Sequence, residues 1–174
     1  MQSDKGYVHV YTGCGKGKTT AALGLALRCA GAGFKVFFGQ FLKDGSYSET
    51  DAVKHFAGQI THEFYGLGGF IKGQPTEADM AAARNGLDRI KVAVNSSEYR
   101  LVIMDEINVA IYKGLIDKYE VLDLIKQRPE GVELVLTGRY ADPDIMIAAD
   151  LVTEMQEIKH YFKEGVPART GIEK

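Results

Sequence analysis

The stretch Val8-His9-Val10-Tyr11-Thr12-Gly13-Cys14-Gly15-Lys16-Gly17-Lys18-Thr19-Thr20 reads as a buried strand, a glycine-rich turn and the start of a helix. In such a turn successive backbone N–H groups point inward and can hold phosphate oxygens. The helix adds its unbonded N–H groups and the positive end of its dipole. Lys18 is expected to reach the outer phosphates, and the Thr19 hydroxyl to sit on a magnesium ion. The match to the usual phosphate-loop spacing is incomplete: Thr12 stands where the pattern has glycine, and Gly13 follows one residue later. Alternating Gly13, Gly15 and Gly17, the lysines Lys16 and Lys18, and the Thr19-Thr20 pair ahead of an apolar helix favour a nucleotide loop over a plain glycine turn. Cys14 reads as a small residue within that loop.

The second signal is Leu101-Val102-Ile103-Met104-Asp105-Glu106, in which an apolar run carries paired carboxylates to a strand end. In a parallel phosphate-loop fold Asp105 can hold magnesium directly or through water. Glu106 can help hold that water, contact substrate or act as a base. A strand running into an acidic helix start is the plainer alternative.

Between these signals, apolar Leu23, Ala26, Leu27 and Ala30 recur at helical spacing over 18–32, and 35–41 resumes as a strand. Strand, helix, strand is the order of a parallel sheet with a crossover helix. Gln40 and Lys43 fall where the second strand ends, and neighbouring parallel strands open there onto one crevice. Gln40 can donate and accept hydrogen bonds; Lys43 can meet a phosphate or a substrate carboxylate, or simply be solvated. Arg139, after a further strand at 132–136, is placed to enter the same crevice and clamp a phosphate. A capping or acidic-partner role competes with that reading.

The remaining chain fills out an α/β fold. A first strand is expected at 6–11, a short helix at 49–57 and a strand at 60–65. The glycine-rich 66–75 suits a substrate-facing loop. Thr76 can cap the next helix with Asp79 at N3. Met80, Ala83, Leu87, Ile90 and Val94 form its apolar stripe up to about Ser96. Helical material over 107–127 is interrupted near Gly114 and ended by Pro129. A helix at 142–149 and a strand at 150–157 follow. The irregular tail, 160–174, can close over a ligand or pack at a subunit interface. His55 and His62 read as ordinary polar residues, since a helix-to-strand change between them spoils any shared face. No repeat or linker divides 1–174, so one domain with a mostly parallel central sheet is expected.

The 174 residues are 45% apolar and 25% charged, ordinary for a globular chain. A net charge of −2 argues against broad nucleic-acid binding. Cys14 and Cys29 alone support neither a disulfide scaffold nor a four-cysteine zinc site. No apolar run is long enough to insert in a membrane and no signal-like segment opens the chain, so a cytoplasmic location is expected.

A nucleotide loop does not name a reaction. The Asn-Lys-x-Asp of a switch GTPase is absent, the arginines are scattered rather than gathered in a kinase lid, and the cysteine group of a zinc-bearing thymidine kinase is missing. Lys16, Lys18 and magnesium on Thr19 and Asp105 can neutralise a triphosphate. Such a site can activate phosphoryl transfer. It can equally hold the whole triphosphate as a leaving group while another nucleophile attacks the nucleoside carbon. An ATPase or small-molecule phosphotransferase, and a noncatalytic nucleotide-binding regulator, stay open on spacing alone.

The chain resembles the ATP:corrinoid adenosyltransferases of the CobA/CobO/BtuR type. The resemblance rests on 11–22 with Arg28, Gly31 and Gly33, on Gln40-Phe41-Leu42-Lys43, and on Asp79 with Ala82-Ala83-Arg84. It continues through Asp105-Glu106-Ile107-Asn108, Arg128-Pro129, Thr137-Gly138-Arg139, 149–155, Lys159-His160 and Gly171-Ile172-Glu173. It implies a P-loop α/β domain, commonly a homodimer served by a reductase. The implied substrates are ATP and a reduced corrinoid, whose cobalt(I) attacks C5′ of ATP and releases triphosphate with Mg2+ present. Residues 13–20 would cradle the triphosphate, Lys18 would neutralise it, and Thr19 with Asp105 or Glu106 would position the metal. Where relatives commonly carry Gly-Phe-Thr-Trp in a corrinoid-facing segment, this chain has Gly69-Phe70-Ile71-Lys72. Phe70 is kept there and Lys72 replaces the tryptophan. Leu87 stands where another tryptophan is common, and the lead-in is shorter than in some relatives.

Overall fold

The computed structural model describes residues 5–46, 48–68, 71 and 73–173. Strand β1 (Val8–Thr12) leads through the glycine loop into helix α1 (Lys18–Gly31), and β2 (Val36–Phe41) follows. Then come α2 (Ser48–Lys54), β3 (Ile60–Tyr65) and the long α3 (Glu77–Asn95). Strand β4 (Leu101–Asp105) runs into α4 (Ile107–Tyr112), followed by α5 (Lys118–Gln127) and β5 (Glu133–Thr137). Helix α6 (Pro143–Ala148), β6 (Leu151–Glu154) and a 3-10 turn (Tyr161–Glu164) complete the order.

The sheet order is β3-β2-β4-β5-β1-β6, and each of these pairings is parallel. Strand β5 therefore lies between the strand that feeds the glycine loop and the strand that ends in Asp105. Both sheet faces are covered, so the inner strands read as continuous apolar runs rather than alternating ones. Phe37, Phe41, Val102, Met104, Leu134 and Leu136 pack on the α3 side with Leu87 and Ile90. Val36, Phe38, Leu101, Ile103 and Val135 pack on the α1 side with Ala22, Ala26 and Ala30. The alanines let α1 lie close to the sheet. On that α1 face the strand rows end in polar groups: Val36-Phe38-Gln40, Leu101-Ile103-Asp105, Glu133-Val135-Thr137. Gln40 and Asp105 are direct register partners. Side chains two residues apart share a strand face, so the row that buries α1 also aims these groups at its N-terminus.

The expected elements are present, with shifted ends that have local causes. Strand β1 starts at Val8 rather than residue 6, because Gly6 is drawn to the Glu130 carbonyl, and a Cβ there would lie 2.3 Å from Val132 backbone. Strand β6 stops at Glu154 rather than 157, because Met155 turns its carbonyl to the Gly15 N–H at 2.7 Å. Helix α3 begins as expected: Thr76 accepts from the Asp79 N–H and Asp79 from the Thr76 N–H, a complete capping box. Leu87 is fully buried in the core. Among the described residues no helix is long and apolar enough to cross a membrane.

Two helical glycines give opposite expectations for the same substitution. Gly24 on α1 has nothing within 4 Å of an added Cβ, whereas at Gly86 on α3 that atom would lie 2.5 Å from the Tyr65 ring. Gly24→Ala should stabilise the fold by about 0.4–1 kcal/mol through the unfolded chain. Gly86→Ala should destabilise it by about 1–3 kcal/mol through overpacking. Urea unfolding of the two variants against wild type checks both signs.

Candidate active site

The glycine loop is shaped by strand ends on either side of it. Gly13 and Gly17 have φ of 95° and 117°, in the left-handed region that suits glycine. A Cβ at Gly13 or Gly15 would lie 2.4 or 2.7 Å from the Met155 carbonyl, so the chain leaving β6 also requires these glycines. Thr12 needs no glycine: it sits in the last position of β1, buried, and its Oγ1 accepts from the Ala141 N–H at 3.3 Å.

Lys18 is 7% exposed and its Nζ donates to the carbonyls of Gly13 and Gly15 at 2.8 and 2.7 Å. Burial pushes its pKa down, opposed chiefly by Glu106, with Arg139 adding to the fall. Lys16 is exposed, and its Nζ donates to the Ile172 carbonyl at 2.9 Å, so the tail touches the loop. Cys14 and Thr20 are exposed on the loop and the first helical turn.

Asp105 is wholly buried and gathers four donors. Thr19 Oγ1 donates to Oδ1 at 2.9 Å and Thr137 Oγ1 to Oδ1 at 2.6 Å; Gln40 Nε2 and Lys43 Nζ donate to Oδ2 at 2.9 and 3.0 Å. Burial alone would raise this carboxyl; Lys43 and the hydroxyl and amide donors outweigh it and hold the pKa down. Lys43 also lies 3.7 Å from Glu49. Its desolvation is outweighed by Asp105 and Glu49, so its pKa is raised.

Glu106 caps the start of α4 in a left-handed conformation, φ 62°, and its N–H donates to Thr137 Oγ1 at 3.0 Å. Burial and the neighbouring Asp105 charge push its pKa up, against Lys43, Lys18 and Arg139. Arg139 is exposed at the same crevice, following Gly138. The structure thus brings together Lys18, Thr19, Gln40, Lys43, Asp105, Glu106 and Arg139. Lys43 is engaged with carboxylates rather than open to a ligand. Phe70 and Lys72 lie outside the described residues.

Residues 4–173 match the family model described as ATP:corrinoid adenosyltransferase BtuR/CobO/CobP. The chain belongs to that family. A corrinoid adenosyltransferase from Sinorhizobium is 37% identical over 98% of this chain and 81% of its own length. The Pseudomonas aeruginosa and Escherichia coli K12 enzymes of the same description are 34% and 33% identical, each over 99% of this chain and 85% and 87% of theirs. A KaiC-like protein from Pyrococcus horikoshii shares the fold at TM-score 0.57 and 19% identity, over 89% of this chain and 75% of its own. As a member of the adenosyltransferase family the chain is an enzyme, and its nucleotide is ATP.

Two side chains joined to this cluster by hydrogen bonds have weak sequence signals. Thr137 closes a buried strand beside Arg139, but only the β4–β5 pairing sets its hydroxyl between Asp105 and the Glu106 N–H. His62, read as an ordinary polar residue, reaches Gln40: its Nε2 lies 2.8 Å from Gln40 Oε1.

Because folding forces the Glu106 carboxyl up, Glu106→Gln should make the ligand-free enzyme more stable at pH 7. A raised folded pKa costs stability above it and nothing below the unfolded value. The gain should therefore shrink as pH falls and vanish below about 4.3. Urea midpoints between pH 7 and 3.5 test this; a gain independent of pH would show that charge is not its cause.

Proposed function

We propose that this site transfers the 5′-deoxyadenosyl group of ATP to cobalt(I) of a reduced corrinoid and releases inorganic triphosphate. The supporting observation is the convergence of the glycine loop, Lys18 and the Thr19–Asp105 pair in a chain that matches the adenosyltransferase family over 4–173. The cobalt lone pair forms the new bond to C5′. The C5′–oxygen bond breaks, its electrons leave on the triphosphate, and cobalt rises formally from +1 to +3. No protein nucleophile is needed.

The protein's part is orientation and charge. Residues 13–20 offer backbone N–H groups to the triphosphate. Lys18 exchanges the Gly13 and Gly15 carbonyls for phosphate oxygens, Lys16 exchanges the Ile172 carbonyl, and Arg139 closes the crevice as a further cation. The residues present fit Mg2+: the donors are hard oxygens, and the half-buried Glu106 carboxyl, beside the Asp105 charge, is disfavoured as an anion until a cation is near. Bound Mg2+ would supply charge neutralisation on the leaving triphosphate. Thr19 and Glu106 are the groups to hold the ion and its water, with Asp105 orienting Thr19, since Asp105 is already supplied with donors.

Phe70 and Lys72 are assigned to the corrinoid side on family resemblance. We further propose a homodimer served by a reductase, acting in the cytoplasm as one domain over 1–174; unpaired Cys14 and Cys29 agree with a reducing compartment.

An anaerobic assay with ATP, Mg2+ and chemically reduced corrinoid should give adenosylcorrinoid and triphosphate in equal amounts. ADP and phosphate without corrinoid would instead mark an ATPase, and ATP binding with no turnover a regulator. Lys18→Ala should lower kcat/KM by about 10²–10³, the usual effect of removing one aligned charge-stabilising donor.

A further inference from the structure

The Asp105 cluster continues outward along the sheet to a residue that the reaction does not otherwise use. His62 lies on edge strand β3, its ring tilted against Phe38 and Phe64 with centroids 4.9 and 4.3 Å away. Its Nε2 is 2.8 Å from Gln40 Oε1, and Gln40 Nε2 donates to Asp105 Oδ2 at 2.9 Å. Gln40 is wholly buried. The hydrogen assignments follow by elimination. The ionised Asp105 carboxylate only accepts, so the amide nitrogen of Gln40 must face it. The Gln40 oxygen then faces His62, so His62 Nε2 must carry the proton. His62 Nδ1 is buried and has no hydrogen-bond partner among the described residues. A bare nitrogen there costs less than a buried N–H would, which selects the neutral ring. Burial together with Lys43, against Asp105, lowers the His62 pKa to about 4, in the same direction.

We propose that His62 is a positioning residue for the nucleotide site: its Nε2–H pins the Gln40 amide, and the pinned amide orients the Asp105 carboxylate toward Thr19. The inference rests on the reading of Thr19 and Asp105 as the metal–triphosphate side of the site. A buried amide can satisfy two partners of opposite kind in only one of its two flips. With His62 in place, the flip that turns the Gln40 oxygen on Asp105 would set two acceptors together at one end and two donors at the other. With His62 gone, the amide oxygen loses its buried donor and the carboxylate is held less firmly. The Phe38 and Phe64 rings make the site tolerant of an aromatic replacement, so His62→Phe removes the donor while keeping a ring between them. His62→Gln keeps a donor at about the same reach.

The test is equilibrium titration of Mg2+ into the full-length protein with ATP and no corrinoid, so that its outcome is scored apart from adenosyl transfer by the wild type. His62→Phe should weaken Mg2+-dependent ATP binding about 3- to 10-fold, ten-fold corresponding to about 1.4 kcal/mol. Metal-free ATP binding should stay within two-fold. His62→Gln should return Mg2+ dependence to within two-fold of wild type. An unchanged titration for His62→Phe, or an equal loss in both variants, overturns the proposal. Should His62→Phe fail to fold, ¹⁵N spectra of the wild-type imidazole decide: protonated Nε2 and bare Nδ1 are expected, and a proton on Nδ1 overturns it.

Discussion

The buried charge on Asp105 is the constraint around which the site is arranged. A carboxylate taken out of water costs several kcal/mol unless partners replace its hydration. Here the replacement comes from one hydroxyl on α1, one on β5, an amide on β2 and a lysine just past β2. Each charge-assisted hydrogen bond is worth about 1.5–3 kcal/mol, so four of them together outweigh the desolvation and hold the carboxyl ionised. Satisfying Asp105 therefore fixes where the first turn of α1 sits relative to β2, β4 and β5. It also leaves Glu106, the next residue, as the carboxyl whose charge is still costly. The two acids are adjacent in sequence and opposite in disposition because Asp105 is supplied with four donors, whereas at Glu106 burial and the Asp105 charge outweigh the nearby cations.

Much of this was legible in the chain. The glycine loop, the apolar run into Asp105-Glu106 and the strand–helix alternation fixed the fold class, and the capping pair Thr76 and Asp79 marked the start of α3. Strand β1 begins later and β6 stops earlier than their local residue pattern suggests, because contacts from distant segments trim them: the Glu130 carbonyl takes the Gly6 N–H, and the Gly15 N–H takes the Met155 carbonyl. Lys43 was visible as a crevice lysine, but its engagement with Asp105 and Glu49 depends on how β2 sits against β4. The same holds for His62 and for the Lys16 contact with Ile172. These are pairings between strands, loops and tail, which no local pattern of residue types encodes.

Thr12 shows why a motif can depart from its usual spelling without losing its shape. A glycine is needed where φ is positive or where another backbone crowds in, and both conditions begin at Gly13. One residue earlier the chain is still strand, and a threonine there fastens the loop to the turn after β5 through Ala141. Leu87 illustrates a second departure. It lies deep in the α3 packing against the sheet, so its difference from the tryptophan common in relatives concerns the core rather than the crevice.

The position of β1 in the sheet has a consequence for assembly in time. Its register partners are Leu134 to Thr137 on one side and Leu151 to Glu154 on the other. During synthesis the glycine loop emerges well before β5 and β6, the strands that flank it. Closing such distant pairings is slow. The nascent chain thus carries its glycine loop without β5 or β6 beside it until both have been made, and the loop gains its flanking support only when those pairings close.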